Sequence, residues 1–175
     1  YMISFSGMEF TLTFLAVERF GYDPVSLGKM FLLIGLTLIL VQGIFVRRFV
    51  SRIGEKNMAL LGIVLGCLAF IIISHSFVST IFYFGLFLMS SGVALISPTL
   101  TALTSLHSGD RNQGFNLGIF RSSGSMARAC GPILAGVAYF SFGSKTAYLF
   151  GAFLLVFPLL IMFRIQSPQT ERSDN

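Results

Sequence analysis

Charge is what this sequence has least of. Only 11% of its 175 residues are Asp, Glu, Lys or Arg, where a soluble domain carries about a quarter. From Asn57 to Gly109 there is no charged residue at all. Trp is absent, and there are only two His and two Cys. A chain this poor in polar surface cannot cover a water-soluble globule of its length. His75 and His107 are isolated, and Cys67 and Cys130 sit inside apolar runs. That pattern offers neither a metal cluster nor a disulfide framework. No Ser/His/Asp arrangement points to a hydrolase, and no glycine-rich phosphate loop points to an ATP-driven pump. The chain reads as no enzyme and calls for no cofactor.

What is present is apolar. Hydrophobic residues make up 54% of the chain, with 20 Phe and a mean hydropathy of +0.82. A bilayer-spanning helix needs about 20 mostly apolar residues. The uncharged stretch from Asn57 to Gly109 is too long for one span, so it divides at the polar patch "SHSFVST", Ser74 to Thr80. Continuing along the chain predicts six spans. They cover Tyr1 to about Ala16, Pro24 to about Phe45, Asn57 to Ser74, Ser79 to Leu106, Gln113 to Phe140 and Thr146 to Phe163. Asp23 suits an N-cap, and Pro24 suits the first helical position, where its missing N–H costs nothing. Residues 1–165 thus form an all-α membrane bundle, and 166–175, "QSPQTERSDN", read as a polar, disordered tail. The chain opens at Tyr1 in apolar sequence without a basic leader, and reads as a fragment beginning inside a helix rather than as a signal peptide.

The net charge is +5 and the pI near 9.6. This is not a nucleic-acid footprint, because most cations fall in short loops between spans. Six spans place both ends on one side, with Arg47, Arg48, Arg52, Lys56, Arg111, Arg164 and Arg172. Arg19, Lys29 and Lys145 fall on the other. The positive-inside rule makes the first side cytoplasmic, with the C-terminus. The expectation is an integral, multi-pass protein of the plasma membrane or an internal membrane, its first partner the lipid bilayer.

Two stretches carry a more specific signal. "QGIFVRRFVSRIGEKNMALLG" has a glycine at a helix end (Gly43), a basic cluster (Arg47, Arg48, Arg52), then Gly54, Glu55 and Lys56 before the next span. "DRNQGFNLGIFRSSGSMARACGPILAG" places Arg111, Gly114, Gly118, Gly131, Pro132 and Gly136 in order. The first resembles the loop between the eighth and ninth helices of the major facilitator superfamily. The second resembles the eleventh helix of its drug:proton antiporter, tetracycline-transporter-like branch. "SGVALISPTLTALTS" is similar to the tenth helix, and "SGMEFTLTFLAVERF" with "GKMFLLIGLT" to the seventh and eighth. The resemblance implies the C-terminal six-helix half of a twelve-helix fold, with the N-terminal half as a missing partner. It also implies drug:proton antiport, with small organic molecules carried, protons as candidate coupling ion, and a binding site near the midplane between the halves. One departure stands in the signature loop. An acid often follows the first glycine by four residues, and Arg47 stands there. Arg47 is therefore not assigned that acid's switching role.

The residues themselves narrow the chemistry. Arg121 and Arg128 lie seven apart, on one helical face. Gly114, Gly118 and Ser122 form a small-xxx-small row that permits close helix contact. A central arginine costs about 2.5–3.5 kcal/mol on insertion scales, which implies a partner or water. Arg121 is near an end and can snorkel to headgroups, make a structural contact, or pair with an acid of the missing half. Arg128 is deeper, with a structural ion pair and an anionic substrate as alternatives. Glu9 falls at comparable depth, counting inward from Glu18 and Arg19 at about 1.5 Å per residue. It either pairs with Arg128 or takes a proton. In the fourth span Pro98 frees a carbonyl, so Ser97 or Thr101 can line a pathway. The default for such hydroxyls is a bond to their own backbone. Phe10, Phe14 and Phe31 either pack against neighbours and lipid or stack on a flat substrate. The arginines favour anionic substrates. The functional expectation is a secondary transporter of small organic molecules working by alternating access. The alternatives are a non-transporting scaffold or receptor that keeps the fold, and six helices acting alone as a homodimer.

Overall fold

The computed structural model describes residues 1–109 and 112–164. Arg111, Arg172 and the tail 166–175 lie outside the described residues. The described chain is built from helices: α1 (Met2–Phe20), α2 (Pro24–Leu40), a π-helical turn (Val41–Val46), α3 (Arg47–Ile53), α4 (Glu55–Ser74), α5 (Ser79–Leu106) and α6 (Gln113–Arg164). Four helical stretches are long and apolar enough to cross a membrane: Pro24–Ile53, Glu55–Ser74, Ser79–Leu106 and Gln113–Arg164. The first of these joins α2, the π-turn and α3. α1 spans 19 residues and carries Glu9, Glu18 and Arg19.

Several boundaries differ from the sequence expectation, for identifiable reasons. α1 runs past Ala16 to Phe20 and ends at Gly21, whose left-handed backbone (φ 64°) lets its N–H reach the carbonyls of Ala16 and Val17. Asp23 caps α2 as expected, accepting the Ser26 N–H at 2.9 Å. The Ser26 hydroxyl and N–H hold the Asp23 carboxyl below the usual carboxylate range. The basic cluster expected in a loop is helical. Arg47, Arg48 and Arg52 lie on α3, because arginine is a good helix former and all three are exposed. Only Gly54, at φ 83°, breaks the chain before α4. The loop expected around residues 141–145 shrinks to one residue. Gly143, at φ 84° and ψ 161°, interrupts α6 and leaves two helical arms, 113–142 and 144–164.

Glycines set how closely the helices pack. α4 crosses α5 at Gly62 and Gly92, where a Cβ on Gly92 would lie 2.8 Å from the Gly62 carbonyl oxygen. α1 crosses the first arm of α6 at Gly7 and Gly131. A Cβ on Gly131 would lie 2.7 Å from the Ile3 carbonyl oxygen, and one on Gly7 would lie 2.7 Å from that of Gly131. Both contacts are backbone against backbone, so neither can yield cheaply. The second arm of α6 lies along α1 and α4. Ser4 Oγ donates to the Gly151 carbonyl at 2.7 Å, and Ser74 Oγ to that of Lys145 at 3.0 Å. Leu12, Leu15, Phe70, Phe82, Leu86 and Tyr148 fill the core between these helices, each fully buried. The Tyr148 hydroxyl donates to the Met8 carbonyl at 3.2 Å. A smaller cluster of Val46, Met58 and Leu95 ties the π-turn to α4 and α5.

The α1–α6 crossing yields a prediction. Gly131→Val in the full-length protein should destabilise it by about 1–3 kcal/mol through overpacking. Gly118→Val, where nothing among the described residues lies within 4 Å of the added Cβ, should not strain these contacts. Thermal unfolding of the two variants in detergent checks the contrast.

Candidate functional site: a charged cavity between α1, α2, α5 and α6

The α1–α6 crossing also positions charge. Glu9 follows Gly7 by two residues on α1, and Arg128 precedes Gly131 by three on α6. Closing the backbones at the glycines brings those turns to one level. Ser6 Oγ donates to the Arg128 carbonyl at 3.1 Å and pins the two turns together. The result is a cavity of about 190 Å³. α1 lines it with Tyr1, Met2, Phe5, Ser6 and Glu9, α2 with Ile34 and Leu38, α5 with Met89, Ser90, Val93 and Ser97, and α6 with Arg128. The spacings on α1 and α5 are those of single helical faces. Glu9, Ser97 and Arg128 are exposed in this chain, so the cavity opens outward. Among the described residues no ion pair joins Glu9 to Arg128.

A second, wider groove of about 470 Å³ adjoins it, lined by Ser6, Glu9, Phe10, Thr13, Phe14 and Phe31. Ser6 and Glu9 belong to both. Phe14 is held edge-on by Phe10 at 5.4 Å and by Phe140 at 5.5 Å between ring centres.

Other candidates fall elsewhere. Thr101 does not line the cavity, and its hydroxyl donates to the Ser97 carbonyl of its own helix at 2.9 Å. Ser90, Ser91, Thr99 and Thr104 likewise bond their own helix. Arg121 is exposed on the first arm of α6 and is not part of the cavity wall. Gly43 lies in the π-turn, and Gly114 and Gly118 have nothing within 4 Å of an added Cβ. Among the described residues, these two glycines of the small-residue row therefore meet no other helix. Gly136 makes only ordinary contact with Phe10 at 3.8 Å, and Pro132 is half-buried in α6. Lys56 Nζ donates to the Phe163 carbonyl at 3.4 Å, so the start of α4 and the end of α6 lie together at one end.

Sequence reasoning treated Glu18 and Arg19 only as edge markers, and the structure gives them more to do. Arg19 Nη1 donates to the carbonyls of Ile73, Ser74 and Ser76 at 3.1, 3.2 and 2.8 Å, and Nη2 to Ser144 Oγ at 2.9 Å. Its guanidinium also sits 5.2 Å from the Phe77 ring centre. A helix C-terminus carries unpaired carbonyls and partial negative charge, which a cation satisfies. Arg19 thus ties α1 to the end of α4 and to the residue after the Gly143 break. Beside it the Tyr139 hydroxyl donates to Glu18 Oε2 at 2.5 Å. The signal was visible in the polar patch where α4 ends, whose last carbonyls needed a donor.

The family model of the Major Facilitator Superfamily matches residues 1–175. The chain belongs to that superfamily. Similar proteins include major facilitator superfamily domain-containing protein 10 of Mus musculus, 33% identical over 96% of this chain and 37% of that protein. The Homo sapiens protein of the same name is 32% identical over 99% of this chain and 38% of its own length. Multidrug resistance protein 2 of Bacillus subtilis is 26% identical over 86% of this chain. The crystal structure of the human organic anion transporter MFSD10 (TETRAN) superposes with a TM-score of 0.87 at 32% identity, covering 93% of this chain and 38% of that one. The chain therefore spans somewhat over a third of the length of these relatives. The superfamily is one of membrane transporters, not of enzymes.

The Arg19 clamp yields the second prediction. Arg19→Gln should cost about 1.5–3 kcal/mol, the range for hydrogen bonds to charged groups. Arg19→Lys should recover only part of this, because one ammonium cannot reproduce the forked guanidinium. Unfolding midpoints of the full-length protein in lipid nanodiscs read both effects.

Proposed function

We propose that this chain is the C-terminal six-helix half of a twelve-helix secondary transporter of small organic molecules, organic anions among them. The single observation that carries the reading is the gathering of Glu9, Arg128 and Ser97 on one outward-opening cavity of an apolar bundle. Ionisable groups at membrane depth are expensive and face a bundle interior or a watery passage. The similarity to a protein described as an organic anion transporter supports the substrate class. The Gly143 break supports counting the two arms of α6 as separate spans, and α1 as a further one. The substrate then sits between this half and its N-terminal partner, and the halves rock as rigid bodies in alternating access.

In this reading Arg128 binds the anionic part of the substrate and Glu9 carries the coupled proton. The basic end bearing Arg47, Arg48, Arg52, Lys56 and Arg164 faces the cytoplasm, together with the C-terminus. Arg121 lies toward that same end and serves a headgroup or the partner half.

The test is uptake of a labelled organic anion into proteoliposomes of the full-length protein, with and without a pH gradient. Arg128→Gln should lower uptake at least roughly tenfold, the loss of one charge-assisted contact. Glu9→Gln should leave uptake that no longer responds to the gradient. Retained coupling in Glu9→Gln removes Glu9 from the proton route, and full uptake in Arg128→Gln removes the anion site.

A further inference from the structure

Glu9 stands on the wall shared by two cavities of different character. One holds Arg128 and Ser97. The other is walled by the rings of Phe10, Phe14 and Phe31. Resting on the transporter reading above, we propose that Glu9 is the specificity-determining residue for amphoteric substrates, which place an anionic group on Arg128 and a cationic group between Glu9 and the phenylalanine rings.

The argument is electrostatic. Two opposite charges on one cavity wall are stabilised either by each other or by a ligand that bears both complementary charges. Among the described residues they are not joined, so each charge is open to a partner. A simple carboxylate answers Arg128 and is repelled by Glu9. A simple amine answers Glu9 and is repelled by Arg128. A molecule bearing both groups satisfies both, and its cation gains further from aromatic faces within about 6 Å. Ser6 contributes to the walls of both cavities and is bonded to the Arg128 backbone. It therefore holds the two subsites in fixed register, so the spacing of the ligand's charges matters as well as their sign. An aromatic body fits the junction, since one side of it is lined by rings and the other by Phe5, Met89 and Val93.

The test is competition binding to purified full-length protein near neutral pH with three probes of related size: 4-phenylbutyrate, 4-phenylbutylamine and 4-(aminomethyl)phenylacetate. The zwitterion should bind about tenfold more tightly than either singly charged probe, the worth of one added charge-assisted contact. Glu9→Gln should bring the zwitterion down to the level of the carboxylate and leave the carboxylate as tight or tighter. Glu9→Asp should keep the preference, showing that the site still folds. Equal binding of zwitterion and carboxylate in the wild type overturns the proposal. So does an unchanged ratio in Glu9→Gln, or no binding of any probe. The transporter reading fails separately, when Arg128→Gln leaves carboxylate binding and uptake untouched.

Discussion

The close approach of α1 to α6 at Gly7 and Gly131 is the contact on which the rest of the site depends. Backbone atoms meet there at distances that exclude any side chain. That contact fixes the depth of Glu9 relative to Arg128, and the Ser6 bond to the Arg128 carbonyl then fixes their rotation. The same crossing leaves Phe10 and Phe14 along the outer side of α1, where they form the aromatic groove. In hydrocarbon little hydrophobic force drives helix against helix, so such small-residue contacts carry the association through packing. The Gly62–Gly92 crossing of α4 and α5 does the same for the other side of the bundle.

Hydrocarbon also demands that polar groups find partners inside the protein. The structure meets this in two ways. Hydroxyls of α5 turn back onto their own helix, as Ser90, Thr99 and Thr104 do. The last carbonyls of α4, and that of Ser76 just beyond it, receive Arg19. Among the described residues no buried side-chain nitrogen or oxygen is left without a partner. Against that background Glu9 and Arg128 are distinctive because they are exposed on a cavity wall rather than satisfied inside the bundle. This contrast separates structural charge from charge that is open to a ligand.

Four apolar helical stretches long enough to cross a membrane were legible from the chain, because long uncharged runs have few alternatives. Helix ends were legible where a residue type has a local mechanism, as with Asp23 and Pro24 at the start of α2. They were misjudged where residue type misled. Arg47, Arg48 and Arg52 suggested a loop, yet arginines sit comfortably on an exposed helix. "SFGSK" also suggested a loop, and one glycine at positive φ supplied the whole turn. The role of Arg19 was hidden because its partners are 54 to 125 residues away in the chain.

By itself the sequence determined that this chain is apolar and helical and where charges interrupt its apolar runs, since composition and period report what each segment can tolerate. It also bounded the candidate site to a few ionisable residues. Only the tertiary structure decided which of them share a space. Glu9 and Arg128 are far apart in the chain, and one helical period says nothing of which helix lies opposite. That choice is made where two backbones can come closest, at Gly7 and Gly131, and the same geometry sets Thr101 and Arg121 outside the cavity.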